Sequence, residues 1–415
     1  MRINRDYYLD KLINRMHNGM IKVITGIKYC GKSYLLFELF NDYLVSKGVK
    51  EDHIIKIALD DRMNIKLRDP DALCTYVHSL IKDNDMYYIL LDEIQFVSEF
   101  EDVLNSFLHI KNLDTYVTGS NAKFLSKDII TEFRGRGDEV YVSPLSFKEF
   151  LSAFNGDKNE AWNEYKMYGG LPFILSCNTD EQKVSYLKNL FEETYMKDII
   201  NRNHVLNKDC LNDLVNIVAS SIGSLTNPNK LMNTFSSLKH IDIGANTIKE
   251  YLDYLCDSFI VSRADRYDVK GKKYISTPQK YYFTDIGLRN AKLGFRQIEE
   301  NHIMENIIYN ELKIRGYNVD VGVVTINDKN ENNNNVRKQL ECDFIATLGY
   351  KKIYIQSALN VDTEEKMKQE TKSLINIDDS FQKIIVVKDD IKKYQNEDGI
   401  LVVGIKEFLL DDRLI

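Results

Sequence analysis

The sequence is poor in proline and lacks the long apolar runs of membrane-spanning chains. It has 5 prolines and 20 glycines in 415 residues, which excludes collagen-like and linker-dominated chains. No apolar run approaches the ~20 residues that cross a bilayer. The residues after Met1 lack the apolar core of a signal peptide. We therefore expect no membrane partner and a cytoplasmic location.

Closely spaced cysteine pairs are also missing. The six cysteines form no Cys-x-x-Cys motif and are scattered, at positions 30, 74, 177, 210, 256 and 342. A zinc site or a disulfide framework needs characteristic cysteine spacings. Scattered cysteines instead fit reduced, mostly buried thiols in a cytosol.

Excess positive charge is absent as well. The chain has 55 Lys and Arg against 62 Asp and Glu, a formal net charge of −7. This balance excludes a protein that coats nucleic acid along its whole surface, although a local basic patch is compatible with it. The hydrophobic content of 44% is ordinary for a globular protein. At ~150 residues per domain, the length predicts two or three domains.

Strand-like and helix-like patterns alternate in the first third of the chain. Short apolar runs with strand composition lie at 20–25, 54–59, 87–91 and 114–118. Strands that alternate with helices predict a parallel sheet that binds ligands at the carboxyl ends of its strands. The predicted fold class is therefore α/β.

The first of these runs leads into a glycine loop. Gly26–Ser33 satisfies G-x-x-x-x-G-K-[ST] between a strand and a helix, the context that a phosphate-binding loop requires. Main-chain N–H groups and the helix N-terminus would hold the phosphates of ATP or ADP. Lys32 would bridge the β- and γ-phosphates, and the Ser33 hydroxyl would ligate Mg²⁺. The predicted cofactor-binding residues are Gly26, Lys28, Tyr29, Cys30, Gly31, Lys32, Ser33 and Tyr34.

Two acidic residues follow the third strand. Asp92 is placed to hold Mg²⁺, and Glu93 to polarise the attacking water. A pair of solvated acids is the alternative, which the upstream phosphate loop makes the weaker one. Ser120, after the next strand, would sense the γ-phosphate or the water, although a simple turn explains it equally well.

Two arginines lie beyond that strand, in Arg134-Gly135-Arg136. They are candidates for stabilising transition-state charge, in their own chain or in a neighbouring subunit of a homo-oligomer. Solvated loop arginines are the alternative, at least as good for Arg134. The predicted catalytic residues are Glu93, Arg136 and Ser120, and the predicted metal ligands are Ser33 and Asp92.

The middle of the chain has a mostly helical pattern. Residues 242–259 are typical of a helix-turn-helix unit, and two strand patterns follow at 259–263 and 280–284. Helices plus a two-stranded ribbon predict a winged helix. The segment 261–296 holds nine basic residues and three acidic ones, a composition that would contact the backbone of double-stranded DNA. Packing of this wing on the ATPase or on another subunit is the alternative.

Several segments together resemble the prokaryotic AAA-related ATPases of the archaeal-ATPase-like type, and the resemblance covers nearly the whole chain. They are the phosphate loop, Asp92-Glu93-Ile94-Gln95, Thr118-Gly119-Ser120, Gly135-Arg136, the Pro-Leu-Ser-Phe segment at 143–150, and Gly169-Gly170-Leu171-Pro172. In that family an arginine usually stands where Lys28 stands. The resemblance implies an ATPase core (1–155), a helical segment (156–207), a winged helix (208–294) and a nuclease-like α/β domain (295–415).

The last of these domains resembles the restriction-endonuclease fold. Metal-dependent cleavage there needs a helix Glu, a strand Asp and a Glu-x-Lys on the next strand. Glu305 and Asp343 match the first two positions, whereas Gln356 and Ala358 replace the last two. Loss of a carboxylate and of the cation should weaken Mg²⁺ binding and water activation together. The domain is therefore expected to be structural or to bind nucleic acid, not to cut it.

The predicted function is a Mg²⁺-dependent switch that binds and hydrolyses ATP and acts with DNA through the wing. Two alternatives stay open. One is a slowly hydrolysing scaffold or signalling protein with a protein partner. The other, less favoured, is an ATP-gated nuclease.

Overall fold

The computed structural model describes residues 2–119, 135–239, 243–329 and 335–415. The chain divides into two compact units. The N-terminal unit comprises Met1–Leu145, Leu171–Phe173 and Asp257–Phe259, and the C-terminal unit comprises Ser146–Gly170, Ile174–Cys256 and Ile260–Ile415. None of the helices within the described ranges is both long and apolar enough to span a bilayer.

The N-terminal unit is built on five strands: β1 (Ile21–Thr25), β2 (Ile54–Ala58), β3 (Tyr87–Asp92), β4 (Leu113–Thr118) and β5 (Gly137–Tyr141). They form one sheet in the order β2-β3-β4-β1-β5, and every neighbouring pair is parallel. The predicted parallel α/β sheet is therefore confirmed. Since all strands run the same way, their carboxyl ends lie at one edge.

Helix α1 (Asp6–Ile13) precedes these strands. The connections contain α2 (Lys32–Tyr34), a π-helical segment at Leu35–Phe40, α3 (Asn41–Ser46), a 3₁₀-helix at Arg62–Arg68, α4 (Pro70–Leu80) and α5 (Phe100–Phe107). Strand β3 is buried along its whole length. Tyr87, Ile89 and Leu91 pack in one core with side chains of the helices, among them Leu73, Val77 and Phe107. Burial on both faces explains why its sequence is a continuous apolar run.

The C-terminal unit begins with helices: α6 (Phe147–Ala153), α7 (Lys158–Tyr168), α8 (Asp180–Asn189), a π-helical segment at Leu190–Met196, α9 (Lys197–Arg202), α10 (Lys208–Ser220), α11 (Pro228–Thr234) and α12 (Ala245–Asp257). The remaining helices are α13 (Ile286–Lys292), α14 (Glu300–Ile314), α15 (Glu364–Ile375) and α16 (Ile405–Leu410). This agrees with the mostly helical pattern of the middle region.

Eight strands of this unit form a second sheet: β6 (Val261–Asp268), β7 (Lys273–Phe283), β8 (Asn318–Lys329), β9 (Asn335–Leu348), β10 (Lys351–Ala358), β11 (Gln382–Val387), β12 (Tyr394–Gln395) and β13 (Leu401–Gly404). Their order is β12-β13-β11-β10-β9-β8-β6-β7. The sheet is mixed, because β9 is antiparallel to both of its neighbours whereas β10, β11 and β13 run parallel.

The two strands predicted as a wing are longer than expected and belong to this second sheet. Strand β6 pairs with β7 as a hairpin and, on its other side, runs parallel to β8. A turn at Asp268 closes the hairpin, because its carboxylate accepts the N–H of Gly271 at 2.9 Å. Tyr267 and Tyr274 meet edge to face across the strands at 5.2 Å. The ribbon therefore extends the C-terminal sheet, and a separate winged-helix domain stays a prediction.

Candidate functional site: the phosphate loop

Strand β1 ends in a loop whose backbone requires glycine. Gly26 has φ +137°, and a Cβ at this position would lie 2.1 Å from the main-chain oxygen of Val142. Gly31 has φ +100° and immediately precedes helix α2. Both conformations are rarely adopted by L side chains. The two glycines of the sequence motif therefore stand where the chain turns and where it packs most closely.

The Lys32 side chain lies back over this loop. Only 4% of the residue is exposed, and Nζ donates to the carbonyl oxygens of Gly26 at 3.0 Å and Ile27 at 3.1 Å. A phosphate oxygen is a better acceptor for an ammonium than a neutral carbonyl, because charge-assisted hydrogen bonds are roughly twice as strong. The lysine is thus held close to where the anion would bind, by partners that the anion can replace.

A buried arginine supports the loop through hydrogen bonds to main-chain carbonyl oxygens. Arg5 is 2% exposed and donates to the carbonyl oxygens of Cys30 at 2.9 Å and Ser143 at 2.8 Å. Its guanidinium lies 4.5 Å from the ring centroid of Tyr8, whose hydroxyl accepts the N–H of Ser143 at 3.2 Å. Sequence reasoning missed Arg5, since nothing local indicates a contact 25 residues along the chain.

The other predicted loop residues differ in their placement. Lys28 is half-buried, whereas Tyr29 is 60% exposed with φ +62°. Cys30 is fully buried, with Sγ 3.3 Å from the oxygen of Val142, so its side chain faces away from solvent. The Tyr34 hydroxyl accepts the N–H of Ile3 at 3.3 Å. Cys30 and Tyr34 therefore support the loop with their side chains.

Asp92 lies at the carboxyl end of β3, at the same sheet edge as the loop. The residue is 5% exposed, and its carboxylate accepts a hydrogen bond from the Thr118 hydroxyl at the end of β4. Burial raises the pKa of Asp92 above its ordinary value, and hydrogen bonds from Thr118 and Ser33 oppose that shift. The structure thus brings together the two predicted metal ligands, Ser33 and Asp92, and adds Thr118.

Glu93 follows Asp92 in a left-handed backbone conformation, with φ +52°. Its main-chain N–H donates to Thr118 Oγ1 at 2.9 Å, and its carboxylate accepts a hydrogen bond from the Gln95 side-chain amide. The single hydroxyl of Thr118 therefore contacts both acidic residues. Sequence reasoning singled out Ser120, two residues further along, and assigned no role to Thr118. Ser120 and Arg134 lie outside the described residues.

Arg136 does not lie at the loop in its own chain. It is exposed and directly precedes β5, where Gly137 pairs with Ile21 at the start of β1. The loop follows Thr25 at the other end of β1, about 13 Å away at about 3.3 Å per residue. A role for Arg136 in catalysis, in its own chain or in a neighbouring subunit, therefore stays a prediction.

A second polar cluster of the N-terminal unit surrounds His53. Its Nδ1 lies 2.7 Å from Asp52 Oδ1 and its Nε2 3.2 Å from Asp83 Oδ1. Among the described residues, His53, Asp83 and Asp85 have ligand atoms close enough for one metal ion. The hydrogen bond to Asp52 raises the pKa of His53. The imidazole thus has a carboxylate at each of its two nitrogens.

The basic residues of 261–296 do not form one surface. Three are buried within the C-terminal unit. Lys280 is 3% exposed, Arg289 is fully buried and donates to the Ala219 oxygen at 2.8 Å, and the side chain of Lys292 pairs with Glu192 at 2.9 Å. Sequence composition could not separate these from the exposed ones. The basic surface reduces chiefly to the hairpin tip, with exposed Lys270, Lys272, Lys273 and Tyr274.

Family models match two parts of the chain. Residues 18–151 match the model described as an AAA domain, and residues 159–299 match a domain of unknown function (DUF8612). The first match covers the loop, Asp92, Glu93 and all five parallel strands. The predicted AAA-related core is confirmed at this level, whereas the winged helix and the restriction-endonuclease-like domain stay predictions.

Relatives match over nearly the full chain. An uncharacterized protein of Haemophilus influenzae is 32% identical over 416 residues, covering 98% of this chain and 98% of that protein. An uncharacterized protein of Methanocaldococcus jannaschii is 28% identical over 410 residues, covering 94% of this chain and 86% of that protein. The similarity to these proteins of a bacterium and an archaeon therefore extends through the sequence of both units.

Solved structures give weaker likenesses. The Aeropyrum pernix ORC1 protein in complex with DNA has a TM-score of 0.31 and 12% identity, covering 71% of this chain and 93% of that chain. The Pyrobaculum aerophilum Cdc6p has a TM-score of 0.32 and 12% identity, covering 74% of this chain and 95% of that chain. Likenesses of this size do not indicate function.

Proposed function

We propose that this chain, which belongs to the same family as the uncharacterized Haemophilus influenzae protein, binds Mg²⁺-ATP at the loop Gly26–Ser33 of its AAA domain and hydrolyses it. Lys32 contacts the β- and γ-phosphates, and Ser33 and Asp92 hold the Mg²⁺. Glu93 polarises the attacking water. Mg²⁺, when bound, neutralises charge that develops on the phosphates.

The observation that carries this proposal is the environment of Lys32. The ammonium is buried, and within the described ranges its hydrogen bonds go to two main-chain carbonyls and to no carboxylate. Burying a positive charge without an anion is costly. A triphosphate supplies that anion, and the adjacent Ser33–Asp92 pair supplies oxygen ligands of the kind that Mg²⁺ prefers.

Isothermal calorimetry on the native protein tests the proposal. We expect ATP to bind at one site per chain, more tightly with Mg²⁺ than with EDTA, and we expect phosphate release on longer incubation. Absence of heat with both ATP and ADP, from protein that circular dichroism shows to be folded, would contradict it.

A second candidate is a slowly hydrolysing, nucleotide-dependent scaffold. The hydrogen bond from Gln95 to the Glu93 carboxylate favours this candidate, because it holds the proposed base in a fixed orientation. Tight ATP binding with turnover that stays slow under all conditions would select the scaffold over the ATPase switch.

Contact with DNA is proposed for the hairpin tip only. Three lysines and an exposed tyrosine within 270–274 suit a phosphate backbone better than the whole segment does. Replacing Lys270, Lys272 and Lys273 with alanine should weaken binding to duplex DNA and reduce the slope of log K against log salt by about 2 to 3. Fluorescence anisotropy across a salt series measures both.

The matched control replaces Lys366, Lys368 and Lys372, three exposed lysines on α15, and should leave DNA binding unchanged. Stimulation of the ATPase by DNA would link this surface to nucleotide turnover. If the native protein binds no DNA with or without ATP, or binds it independently of salt, the DNA proposal is wrong and the ATP proposal is unaffected.

A further inference from the structure

A buried lysine lies at the centre of three carboxylates in the C-terminal unit. Lys280, on β7, is 3% exposed. Its Nζ lies 2.9 Å from Glu305 Oε1 on α14 and 2.8 Å from Glu341 Oε1 on β9. Asp343 Oδ1, two residues further along β9, is 3.9 Å away. We call these four residues the Lys280 cluster.

The cluster carries more negative than positive charge. With all groups ionised, three carboxylates and one ammonium leave two uncompensated negative charges. Burial and the charge of Glu305 raise the pKa of Asp343 well above its ordinary range, while Lys280 opposes that shift. Burial alone would lower the pKa of Lys280, but the three carboxylates raise it instead. The ammonium is therefore charged and is the cation that the carboxylates hold.

The carboxylate oxygens are already engaged. Glu305 Oε1 also accepts a hydrogen bond from the Tyr282 hydroxyl at 2.7 Å. Asp343 Oδ2 accepts the N–H of Ser357 at 2.8 Å. Lys280 and Tyr282 therefore donate to the same oxygen of Glu305, and a main-chain N–H holds Asp343 Oδ2, as expected for buried carboxylate oxygens.

With the Lys280 ammonium at its centre, the cluster does not fit a divalent cation. Mg²⁺ requires oxygens at about 2.1 Å in an octahedron, so its carboxylate ligands must approach one another closely. Within the described ranges, a compact set of three such ligand atoms occurs at His53 and not in the Lys280 cluster. Gln356, which stands where the restriction-endonuclease pattern has an acid, accepts a hydrogen bond from Ser373 at 3.2 Å.

We propose that the Lys280 ammonium occupies the position of a divalent cation in this carboxylate cluster, so that the native domain binds no metal there and removal of the ammonium opens a metal site. In the native fold Lys280 joins the hairpin to α14 and β9. The proposal concerns the C-terminal unit and does not depend on nucleotide binding.

Electron paramagnetic resonance of Mn²⁺ with nucleotide-free protein tests this. Lys280→Met keeps most of the side-chain volume and removes the charge, and we expect it to bind one more Mn²⁺ per chain than the native protein. Addition of Asp343→Asn should abolish that extra site. The control Lys351→Met, at the exposed start of β10 in the same sheet, should match the native protein.

Two results of this experiment would overturn the proposal. One is a Mn²⁺ site in the native protein that Asp343→Asn removes. The other is a folded Lys280→Met variant, verified by circular dichroism, that gains no Mn²⁺.

A measurement on the native protein covers the case in which the variant fails to fold. Acetylation by an amine-reactive reagent, followed by peptide mass spectrometry, should modify Lys280 at least about tenfold more slowly than Lys273, because a buried, ion-paired ammonium is shielded from the reagent. Millimolar Mg²⁺ should leave this ratio unchanged. Faster modification of Lys280 on addition of Mg²⁺ would show that metal displaces the lysine, which is contrary to the proposal.

Discussion

Glu93→Gln is expected to bind ATP as tightly as the native protein and to hydrolyse it about 10² to 10⁴-fold more slowly, the usual contribution of a positioned general base. The amide has the shape of the carboxylate but cannot take a proton from water. The hydrogen bond from the main-chain N–H of Glu93 to Thr118 does not involve the replaced side chain, so it survives the change. Calorimetry gives the affinity, and phosphate release at saturating ATP gives kcat.

Glu99→Gln is a matched control for this variant. Glu99 also has φ +52° and lies six residues further along, but it is exposed. It should leave both kcat and ATP affinity unchanged. Turnover in Glu93→Gln equal to that of the native protein would remove Glu93 from the mechanism. If the native protein itself is slow and Gln95→Ala accelerates it, the hydrogen bond between Gln95 and Glu93 restrains the base.

Lys32→Ala is expected to weaken ATP binding about 100-fold, or about 2.7 kcal/mol, the range of a charge-assisted hydrogen bond made at a buried site. The loss should be smaller for AMP, which has no β- or γ-phosphate for the ammonium to contact. Competition calorimetry with ATP, ADP and AMP measures the series.

Lys56→Ala serves as the control, because Lys56 is an exposed lysine on β2 of the same unit. It should bind all three nucleotides as the native protein does. Thermal unfolding identifies any general loss of stability, since removal of Lys32 also leaves the carbonyls of Gly26 and Ile27 without that donor. Equal loss of affinity for ATP and AMP would contradict the assignment of Lys32 to the β- and γ-phosphates.

The phosphate loop and its strand could be predicted because their signals are local. A buried five-residue strand, the glycines Gly26 and Gly31 with positive φ, and a helix that begins at Lys32 all lie within 21–34. The parallel sheet followed from the alternation of strand and helix patterns. Asp92 followed from its position at the end of an apolar strand.

Contacts between distant segments could not be predicted. Thr118 and Ser120 are both small polar residues near one strand end, and only the register of β4 beside β1 and β3 places Thr118 against Asp92. Arg5 contacts Cys30 and Ser143, which are distant from it in the sequence. The separation of Arg136 from the phosphate loop likewise depends on the pairing of β5 with β1. Their roles depend on the order of the strands, which local patterns do not encode.

Composition was misleading in the segment 261–296. Its nine basic residues suggested one charged surface, yet Lys280 and Arg289 are among the most buried side chains of their unit. Lys280 is stabilised there by carboxylates 25 and 61 residues later in the sequence. The pairing of β6 with β8 likewise joins strands that are separated by α13 and α14. Burial of a charge is decided by such distant partners, which a count of lysines and arginines does not reveal.

The hydroxyl of Thr118 has a mechanical consequence. It donates to Asp92 and accepts from the main chain of Glu93. Asp92 and Glu93, the proposed metal ligand and the proposed base, are consequently tethered to one point on β4, so neither can shift far alone. If a bound γ-phosphate displaced that strand end, Asp92 and Glu93 would move together, and the positions of the proposed Mg²⁺ and attacking water would change at the same time.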